Sequence, residues 1–435
     1  MGKRTFWLLI ISFHALFFLK QIFFGNSLLQ DSREYIYAAD NIITYKTLYA
    51  WNLQDSFDNN WLTKRPFLYP SILAVAKLAT FGHEKPFFIL VYALQNLASL
   101  LSVFLALRIA RRFTLRINRF HAFLFVLFSP AQAIYANMVM SEIWLQLCMV
   151  TVVYILLLFP RNTRSTFYIA LLLIAGLSLK PVLLFTVFLL PLYYLITSYK
   201  AIRFKHLALT FLPLLFYFSA CKVNERRTGY FHYSSISNIN LLHYNTYSML
   251  LNRHGMTKAD SIVDAIRAEA RLQGDYKEQQ QYIRQACTKL VGNDIILYAW
   301  LHLRGAALCL LDPGRFDLTQ FFGLPHKTNL IYETNKEGGL KRIWQSFMNP
   351  LGVVLAVLLL FNLFKIYVIG RFAFSRILTV KTKLTLLFFP LYILFFTGPI
   401  GTSRFYMPLI PFVLIMLLLN AKKTPETASD NPAAG

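Results

Sequence analysis

The chain has 435 residues, of which 56% are hydrophobic, and it carries a net charge of +24 with a mean hydropathy of +0.48. Soluble domains are usually less apolar and lack runs of about 20 apolar residues, so this composition excludes an ordinary soluble protein. Most of the positive charge lies in short loops between apolar runs. That pattern is typical of a membrane orientation signal, and it argues against nucleic acid as a partner.

Apolar runs along the chain predict about ten membrane-spanning helices, and hence an all-α integral membrane protein. The first run has no small-residue cleavage site after it, so we interpret it as a membrane anchor. The ten runs cover residues 5–19, 87–107, 120–135, 143–159, 166–179, 182–198, 206–220, 351–368, 384–399 and 405–419.

Basic segments that contain no acid determine the expected orientation, because Lys and Arg in short loops mark the cytoplasmic side. About ten spans place all of these segments inside, with both termini cytoplasmic and the larger loops on the outer side of the cell inner membrane. The basic segments lie at residues 1–4, 108–119, 161–164, 199–205, 371–383 and 421–423.

This topology divides the chain into four parts. Residues 1–222 form an N-terminal transmembrane module that includes a first outer loop at 25–85. A small, mainly helical extracytoplasmic region covers 223–345. Residues 346–420 contain the C-terminal transmembrane helices, and a disordered cytoplasmic tail is expected at 421–435.

The first outer loop is expected to hold interfacial helices. Apolar residues recur at helical spacing between Tyr35 and Lys46, which indicates an amphipathic helix lying on the membrane. The segment at 66–82 contains two prolines and a central Lys77. We therefore expect an interfacial helix or a re-entrant segment there, and an ordinary short span is the alternative.

The outer region at 223–345 is also expected to be helical. A polar helix is predicted across 257–290. The apolar stretch at 295–311 is interpreted as a helix lying on the surface, with a pair of half-spans as the alternative. Cys287 and Cys309 could form a disulfide, although free thiols are the favoured state because the chain has no CxxC pair.

Acids are scarce, and five of the 20 lie in one loop at residues 25–66. Asp31 follows the first span directly. It can cap the helix that it opens, with Glu34 three residues later as the capping-box partner. It can also serve as an ionised base that accepts a proton from a hydroxyl or amine. The remaining acids of this loop are interpreted as solvated residues.

Two cations and another acid stand out at the predicted outer face. Lys64 and Arg65 lie there against the positive-inside rule, either as snorkelling interfacial residues or as a phosphate clamp. Glu142 opens a middle span, where Ser141 can cap the helix and an acid is a functional candidate.

Lys180 and Arg404 extend this set. Lys180 ends a short helix, where the helix dipole favours a cation, so a structural role is sufficient for it. Arg404 lies near the N-terminus of the last span, where a cation is disfavoured unless an anion accompanies it. Together, these acids and cations suit transfer from a lipid phosphate, because cations stabilise a phosphate leaving group while an acid activates the acceptor.

At these residues the chain resembles the GT-C superfamily of polyprenyl-phosphate-dependent glycosyltransferases. It is most similar to the family 39-like group of protein O-mannosyltransferases and the lipid A aminoarabinose transferase. The stretch Arg65–Pro70 looks like that group's K/R-P-P-L-Y-P motif, with Phe67 in place of the second proline. Asp31 is followed by serine, where many members have Asp-Glu. Further similar segments are Ser141-Glu142, Leu179-Lys180-Pro181, RFYMP at 404–408 and LDPGRFDL at 311–318.

The resemblance implies a GT-C-like fold and an inverting single displacement, with catalysis in the module at 1–222. Expected partners are a polyprenyl-phosphate sugar donor and membrane lipids, while the sugar, the acceptor and any metal ligands stay open. No cofactor is assigned, and a divalent cation is an open alternative. The implied site residues are a base at Asp31, a second acid at Glu142 and donor-phosphate contacts at Lys64, Arg65, Lys180 and Arg404.

Two other functions stay open. A surface-polysaccharide polymerase or ligase would rely on Arg and His in the large outer region, such as Arg253-His254 and His302-Arg304. A transporter of lipid-linked oligosaccharides would bury charged residues near the bilayer midplane within broken helices. The predicted spans carry almost no such residue.

Overall fold

The structure is a computed structural model, and it describes residues 1–25, 27–55, 57–114, 116–160, 162–198, 204–324, 350–376 and 378–420. Over this part of the chain every regular element is a helix and no residue lies in a β-strand, which confirms the all-α prediction. The expected tail at 421–435, the end of the outer region at 325–345 and most of the basic segment at 199–205 lie outside the described residues.

In the first half of the chain, a short 3₁₀ turn at Pro181–Leu183 joins the last two helices. The helices are α1 (Lys3–Phe24), α2 (Gln30–Tyr45), α3 (Asn59–Thr63), α4 (Leu68–Ala79), α5 (Glu84–Phe113), α6 (Arg119–Leu127), α7 (Ala131–Ala136), α8 (Glu142–Leu158), α9 (Thr163–Leu179) and α10 (Leu184–Ser198).

In the second half, a π-helix at Leu241–Thr246 precedes α14, and a 3₁₀ turn at Met407–Leu409 joins α21 to α22. The helices are α11 (Phe204–Thr210), α12 (Leu212–Thr228), α13 (Ile236–Asn240), α14 (Tyr247–His254), α15 (Met256–Arg271), α16 (Tyr276–Asn293), α17 (Ile295–Leu311), α18 (Arg315–Phe322), α19 (Pro350–Phe374), α20 (Val380–Phe396), α21 (Ser403–Tyr406) and α22 (Ile410–Asn420).

Among the described residues, five helical segments are long and apolar enough to cross a membrane. They are α1, α5, α11 with α12, α19, and α21 with α22. The pair α16 and α17, which meet at 94°, would make a sixth crossing. Several apolar helices, including α8 and α9, are shorter. The chain is a multi-pass membrane protein, and the count of ten crossings stays a prediction.

Helix α4 lies in the segment at 66–82, where the sequence predicts an interfacial or re-entrant helix rather than an ordinary membrane span. It has 12 residues and packs against α2 and α5. At 1.5 Å per residue it is about 18 Å long. That length is short for a hydrocarbon core of about 30 Å, so α4 agrees with the interfacial or re-entrant interpretation.

The span predicted at 120–135 is wrong as one continuous helix. Helix α6 ends at Leu127 and α7 begins at Ala131. Pro130 lies between them, and it has no N–H group with which to continue the helical hydrogen bonds. The run is therefore two short helices joined by a break at Ser129.

The polar helix predicted across 257–290 is likewise two helices, α15 and α16. Helix α15 ends at Arg271, and Asp275 begins a new helix by accepting a hydrogen bond from the Glu278 N–H at 2.8 Å. The four cysteines are free and buried, so the disulfide alternative at Cys287 and Cys309 is wrong.

Helix α17 is continuous and does not form two half-spans. It packs against α19, α20 and α21. Its contact with the loop before α21 is close, because a Cβ on Gly401 would lie 1.7 Å from the Gly305 carbonyl oxygen. Glycine is therefore required at 401 for this approach, which packs α21 against α17.

Two apolar clusters hold the membrane part together. The larger one joins α1, α5, α7, α8, α19 and α22. The smaller one joins α2, α4 and α5 around Tyr35, Tyr69 and Tyr92. Polar residues in the first turns of α2, α8 and α21 lie close together.

Candidate functional site

Asp31 lies in the first turn of α2, one residue inside the helix. Leu29 is the N-cap, and its N–H donates to the Ser32 hydroxyl at 3.2 Å. The predicted capping box of Asp31 and Glu34 is therefore wrong. Both carboxylates instead bind cations from distant segments, which are stronger partners than a backbone N–H.

Arg65 binds both acids of α2. Its Nη2 donates to Asp31 Oδ1 at 2.6 Å, and its Nε donates to Glu34 Oε2 at 2.7 Å. Lys64 Nζ donates to the other oxygen of Glu34 at 2.9 Å. Lys64 and Arg65 are thus ion-paired and largely buried, so the interpretation as snorkelling interfacial cations is wrong.

Arg404 joins this cluster to a second one at Glu142. Its Nη2 donates to Asp31 Oδ2 at 2.6 Å, and its Nε donates to Glu142 Oε1 at 2.5 Å. Lys180 Nζ donates to the same Glu142 oxygen at 2.6 Å. As the sequence predicts, Glu142 lies in the first turn of α8, and Lys180 follows the last residue of α9.

All six predicted site residues therefore belong to one network of ion pairs, with Glu34 as a seventh member. We call this network the charged cluster. It contains three acids and four cations, so its formal charge is +1. Its members are Asp31, Glu34, Lys64, Arg65, Glu142, Lys180 and Arg404.

The protonation of the charged cluster follows from burial and charge. Burial alone would raise the pKa of Asp31, but attraction to Arg404 and Arg65 outweighs it and holds that pKa well below its usual range. Burial lowers the pKa of Lys180 to about 8, and Glu142 acts in the opposite direction. At pH 7 Asp31 is therefore ionised. The pKa of Lys180 lies only slightly above this pH.

Access differs among the members. The side chains of Asp31 and Arg404 are 24% and 23% exposed, whereas that of Glu142 is 1% exposed. Glu142 Oε2 is buried and accepts no hydrogen bond from the described residues. A ligand entering the site therefore meets Asp31 and Arg404 first, and one oxygen of Glu142 stays available to a donor.

Buried tyrosines hold α2 in position beneath the cluster. The Tyr35 hydroxyl lies 3.1 Å from the Ser141 hydroxyl, and the Arg65 guanidinium lies over the Tyr35 ring at 4.9 Å. The Tyr69 ring meets Tyr35 edge to face, and its hydroxyl donates to Gln95 at 2.6 Å. These contacts fix Asp31 relative to α8.

The outer-region residues of the polymerase or ligase alternative make other contacts. Arg253 pairs with Asp294, and His302 lies 3.0 Å from the Phe395 carbonyl oxygen. Neither contact belongs to the charged cluster.

Sequence reasoning missed a buried lysine in the membrane part. Lys365 is 4% exposed and lies well inside α19, where its Nζ donates to Asn362 at 3.1 Å. It borders a cavity of about 30 Å³ that Asp312 and Asp317 also line. The signal was a lysine inside an apolar helix of 25 residues whose other basic residue, Arg371, lies in the last turn.

The charged cluster does not fit a divalent cation. Each of its three carboxylates already binds at least two cationic side chains, and the four cations exceed the acids in number. Over the described ranges, no group of three or more His, Cys, Asp or Glu side chains is arranged as metal ligands. The donor set favours an anion instead.

No family model matches this chain, and neither does any curated protein. Three solved structures are similar to it. The ArnT of Cupriavidus metallidurans matches in the form bound to undecaprenyl phosphate (12% identity, TM-score 0.42) and in the apo state (13%, 0.41). Each match covers 96% of this chain and 77% of the other.

The third is the archaeal oligosaccharyltransferase AglB from Archaeoglobus fulgidus, in complex with an inhibitory peptide and a dolichol-phosphate. Its identity is 10% and its TM-score 0.45, over 96% of this chain and 50% of that one. At these identities and TM-scores the likeness identifies no activity or substrate for this chain.

Proposed function

We propose that this protein is a membrane glycosyltransferase that moves a sugar from a polyprenyl-phosphate-linked donor to an extracytoplasmic lipid, glycan or protein acceptor. The observation that carries the proposal is the charged cluster, in which Arg404 joins Asp31 to Glu142. The active site would lie on the outer face of the cell inner membrane, with both termini inside.

The excess of cations supports a phosphate ligand. Arg65 and Arg404 each present several N–H groups, and guanidinium groups bind phosphate oxygens in pairs. Lys64 and Lys180 add point charges on either side. A bound phosphate would compete with Asp31 and Glu142 for these donors, so substrate binding would loosen the contacts of Asp31.

Asp31 would then act as the base. The acceptor oxygen or nitrogen attacks the anomeric carbon and forms the new glycosidic bond. The bond from that carbon to the phosphate oxygen breaks, and the configuration inverts. The acceptor proton passes to Asp31, and polyprenyl phosphate leaves as an anion that the cations stabilise. The free oxygen of Glu142 would accept a hydrogen bond from the sugar or the acceptor.

Ligand binding to purified protein in lipid nanodiscs tests the phosphate assignment. We expect undecaprenyl phosphate to bind the wild type more tightly than Arg404→Gln. Arg267→Gln is the matched control, because Arg267 is 46% exposed and contacts Asp264 on its own helix and His243, both outside the charged cluster. Equal binding by the wild type and Arg404→Gln would refute the assignment.

A transporter of lipid-linked oligosaccharides is the second candidate, favoured by Lys365 and by the break between α6 and α7. Both are features that transporters use to bind substrates inside the membrane. Proteoliposomes loaded with a fluorescent polyprenyl-phosphate sugar separate the two functions. A transporter moves the donor between leaflets without cleaving it, whereas a transferase releases polyprenyl phosphate.

A further inference from the structure

Arg404 occupies a position that helix electrostatics disfavour. It is the second residue of α21, at the start of the last described span, where the helix dipole is positive. The first N–H groups of a helix also lack partners within the helix. Something outside α21 must therefore satisfy this helix start and compensate its charge.

Asp31 and Glu142 compensate the charge of Arg404. Two carboxylates from the segment LDPGRFDL satisfy the helix start. Asp312 Oδ2 accepts the Ser403 N–H at 2.9 Å, and Asp317 Oδ2 accepts the Ser403 hydroxyl at 2.7 Å. Both acids are buried, with 4% and 3% exposure. Ser403 is thus held through its backbone and its side chain at once, immediately before Arg404.

The same two acids are fixed on their other sides. Asp312 Oδ1 accepts the Gly314 N–H at 3.0 Å, and Asp317 Oδ1 accepts the Tyr135 hydroxyl at 2.7 Å. Gly314 has φ of +78°, a conformation that favours glycine, so the turn after Asp312 is specified by the sequence. Tyr135 belongs to α7, so Asp317 links α7 directly to α21.

We infer that Asp312 and Asp317 are positioning residues, which clamp Ser403 so that Arg404 reaches Asp31 and Glu142 and can bind a phosphate. This inference rests on the proposed function and extends it to a segment outside the charged cluster. Neither acid touches the predicted donor site, so each acts through Arg404. Lys365 lines the same small cavity as the two acids.

Substitutions at Ser403 and Asp317 test the clamp through the affinity for undecaprenyl phosphate in nanodiscs. Ser403→Ala and Asp317→Asn should each weaken binding about 3- to 10-fold, which corresponds to loss of one positioning hydrogen bond. Ser403→Thr keeps the hydroxyl and should restore binding. Asp317→Asn also removes a negative charge near Arg404, so a purely electrostatic effect would tighten binding, and tightening would overturn the clamp.

A double-mutant cycle separates positioning from general damage. In an Arg404→Gln background, Ser403→Ala and Asp317→Asn should cause no further loss of affinity, because the residue that they position is gone. Equal losses in both backgrounds would overturn the inference. Thr319→Val is the control. Thr319 is buried on α18, the helix of Asp317, and its hydroxyl donates to the Arg315 carbonyl oxygen rather than to Ser403. A loss with Thr319→Val as large as with Ser403→Ala would also overturn it.

The melting midpoint of the same ligand-free proteins in detergent gives a second readout. Ser403→Ala and Arg404→Gln should each lower the melting midpoint. If Ser403 positions Arg404 against Asp31 and Glu142, the double variant will lower it by less than the sum of the two single effects. Additive losses would overturn the clamp. Unchanged phosphate binding in Arg404→Gln would refute the proposed function, and the melting cycle would still decide whether the clamp exists.

Discussion

Arg404 Nη2 donates to Asp31 Oδ2 at 2.6 Å, although 373 positions of sequence separate the two residues. The same guanidinium reaches Glu142 with its Nε at 2.5 Å. One planar cation thus fixes the distance between the two acids that we propose for the site.

Arg404→Lys should behave almost like Arg404→Gln. A lysine has one nitrogen and cannot donate to Asp31 and Glu142 from the fixed fork that arginine provides. We expect the affinity for undecaprenyl phosphate to fall about 10- to 100-fold, as for one or two charge-assisted hydrogen bonds. Arg267→Lys should change it less than twofold, because exposed ion pairs contribute little. Wild-type affinity in Arg404→Lys would show that the fork is not needed.

Asp31→Asn should abolish transfer while leaving phosphate binding intact. Removing the base is expected to slow sugar transfer about 10²- to 10⁴-fold. Binding of undecaprenyl phosphate should stay the same or tighten, because one acid no longer competes for Arg65 and Arg404. Turnover of a radiolabelled donor and binding are measured on the same preparation. Asp55→Asn is the matched control in the same loop, and retained transfer in Asp31→Asn would remove Asp31 as the base.

Phosphate binding should weaken at alkaline pH through Lys180. Its pKa is lowered to about 8, so its positive charge is lost as the pH rises above that value. The affinity for the phosphate should then fall by up to about tenfold for each pH unit, until the pH reaches the pKa that Lys180 has in the phosphate-bound protein. Lys180→Arg stays charged and should bind equally from pH 7 to 9.5. The same pH profile in both proteins would contradict this role.

Glu142→Gln should destabilise the protein. The change leaves Lys180 and Arg404 buried beside a neutral amide, and breaking a buried ion pair costs about 3 kcal/mol. The free energy of unfolding in detergent measures this loss. Glu225→Gln removes an exposed pair with Lys222 and should cost less than about 0.5 kcal/mol. Similar losses in both variants would mean that Glu142 is already well solvated.

The sequence indicated which residues form the site because charge is unevenly distributed. Glu142 stood out because acids are scarce, and Arg404 because a cation at that helix start is disfavoured. The pairing could not be predicted, since Arg404 and Glu142 are 262 positions apart and meet only through the packing of α8 and α21. The capping-box role predicted for Glu34 is wrong because a capping box is a local pattern. The fold places Arg65 next to Glu34, and Arg65 is a stronger partner than a backbone N–H.

Helix breaks and buried polar contacts were harder to predict. Pro130 was visible in the run at 120–135, but an average of hydropathy hides a single residue that stops a helix. Lys365 was hidden in the same way, because the mean hydropathy of the 25-residue helix α19 stays high despite this lysine. Asp312 and Asp317 lie in a segment noted only for resemblance, and their common partner Ser403 is 91 and 86 positions away.

The position of Arg404 in the last described span also has a consequence for biogenesis. During synthesis, α1 to α20 are made before α21. By then the chain already contains Asp31, Arg65, Glu142 and Lys180. These residues remain without the guanidinium that joins them until α21 emerges. Activity would therefore switch on at a late stage of synthesis. Two separately expressed fragments divided within residues 325–349 would each be inert, and would recover function only on assembling with each other.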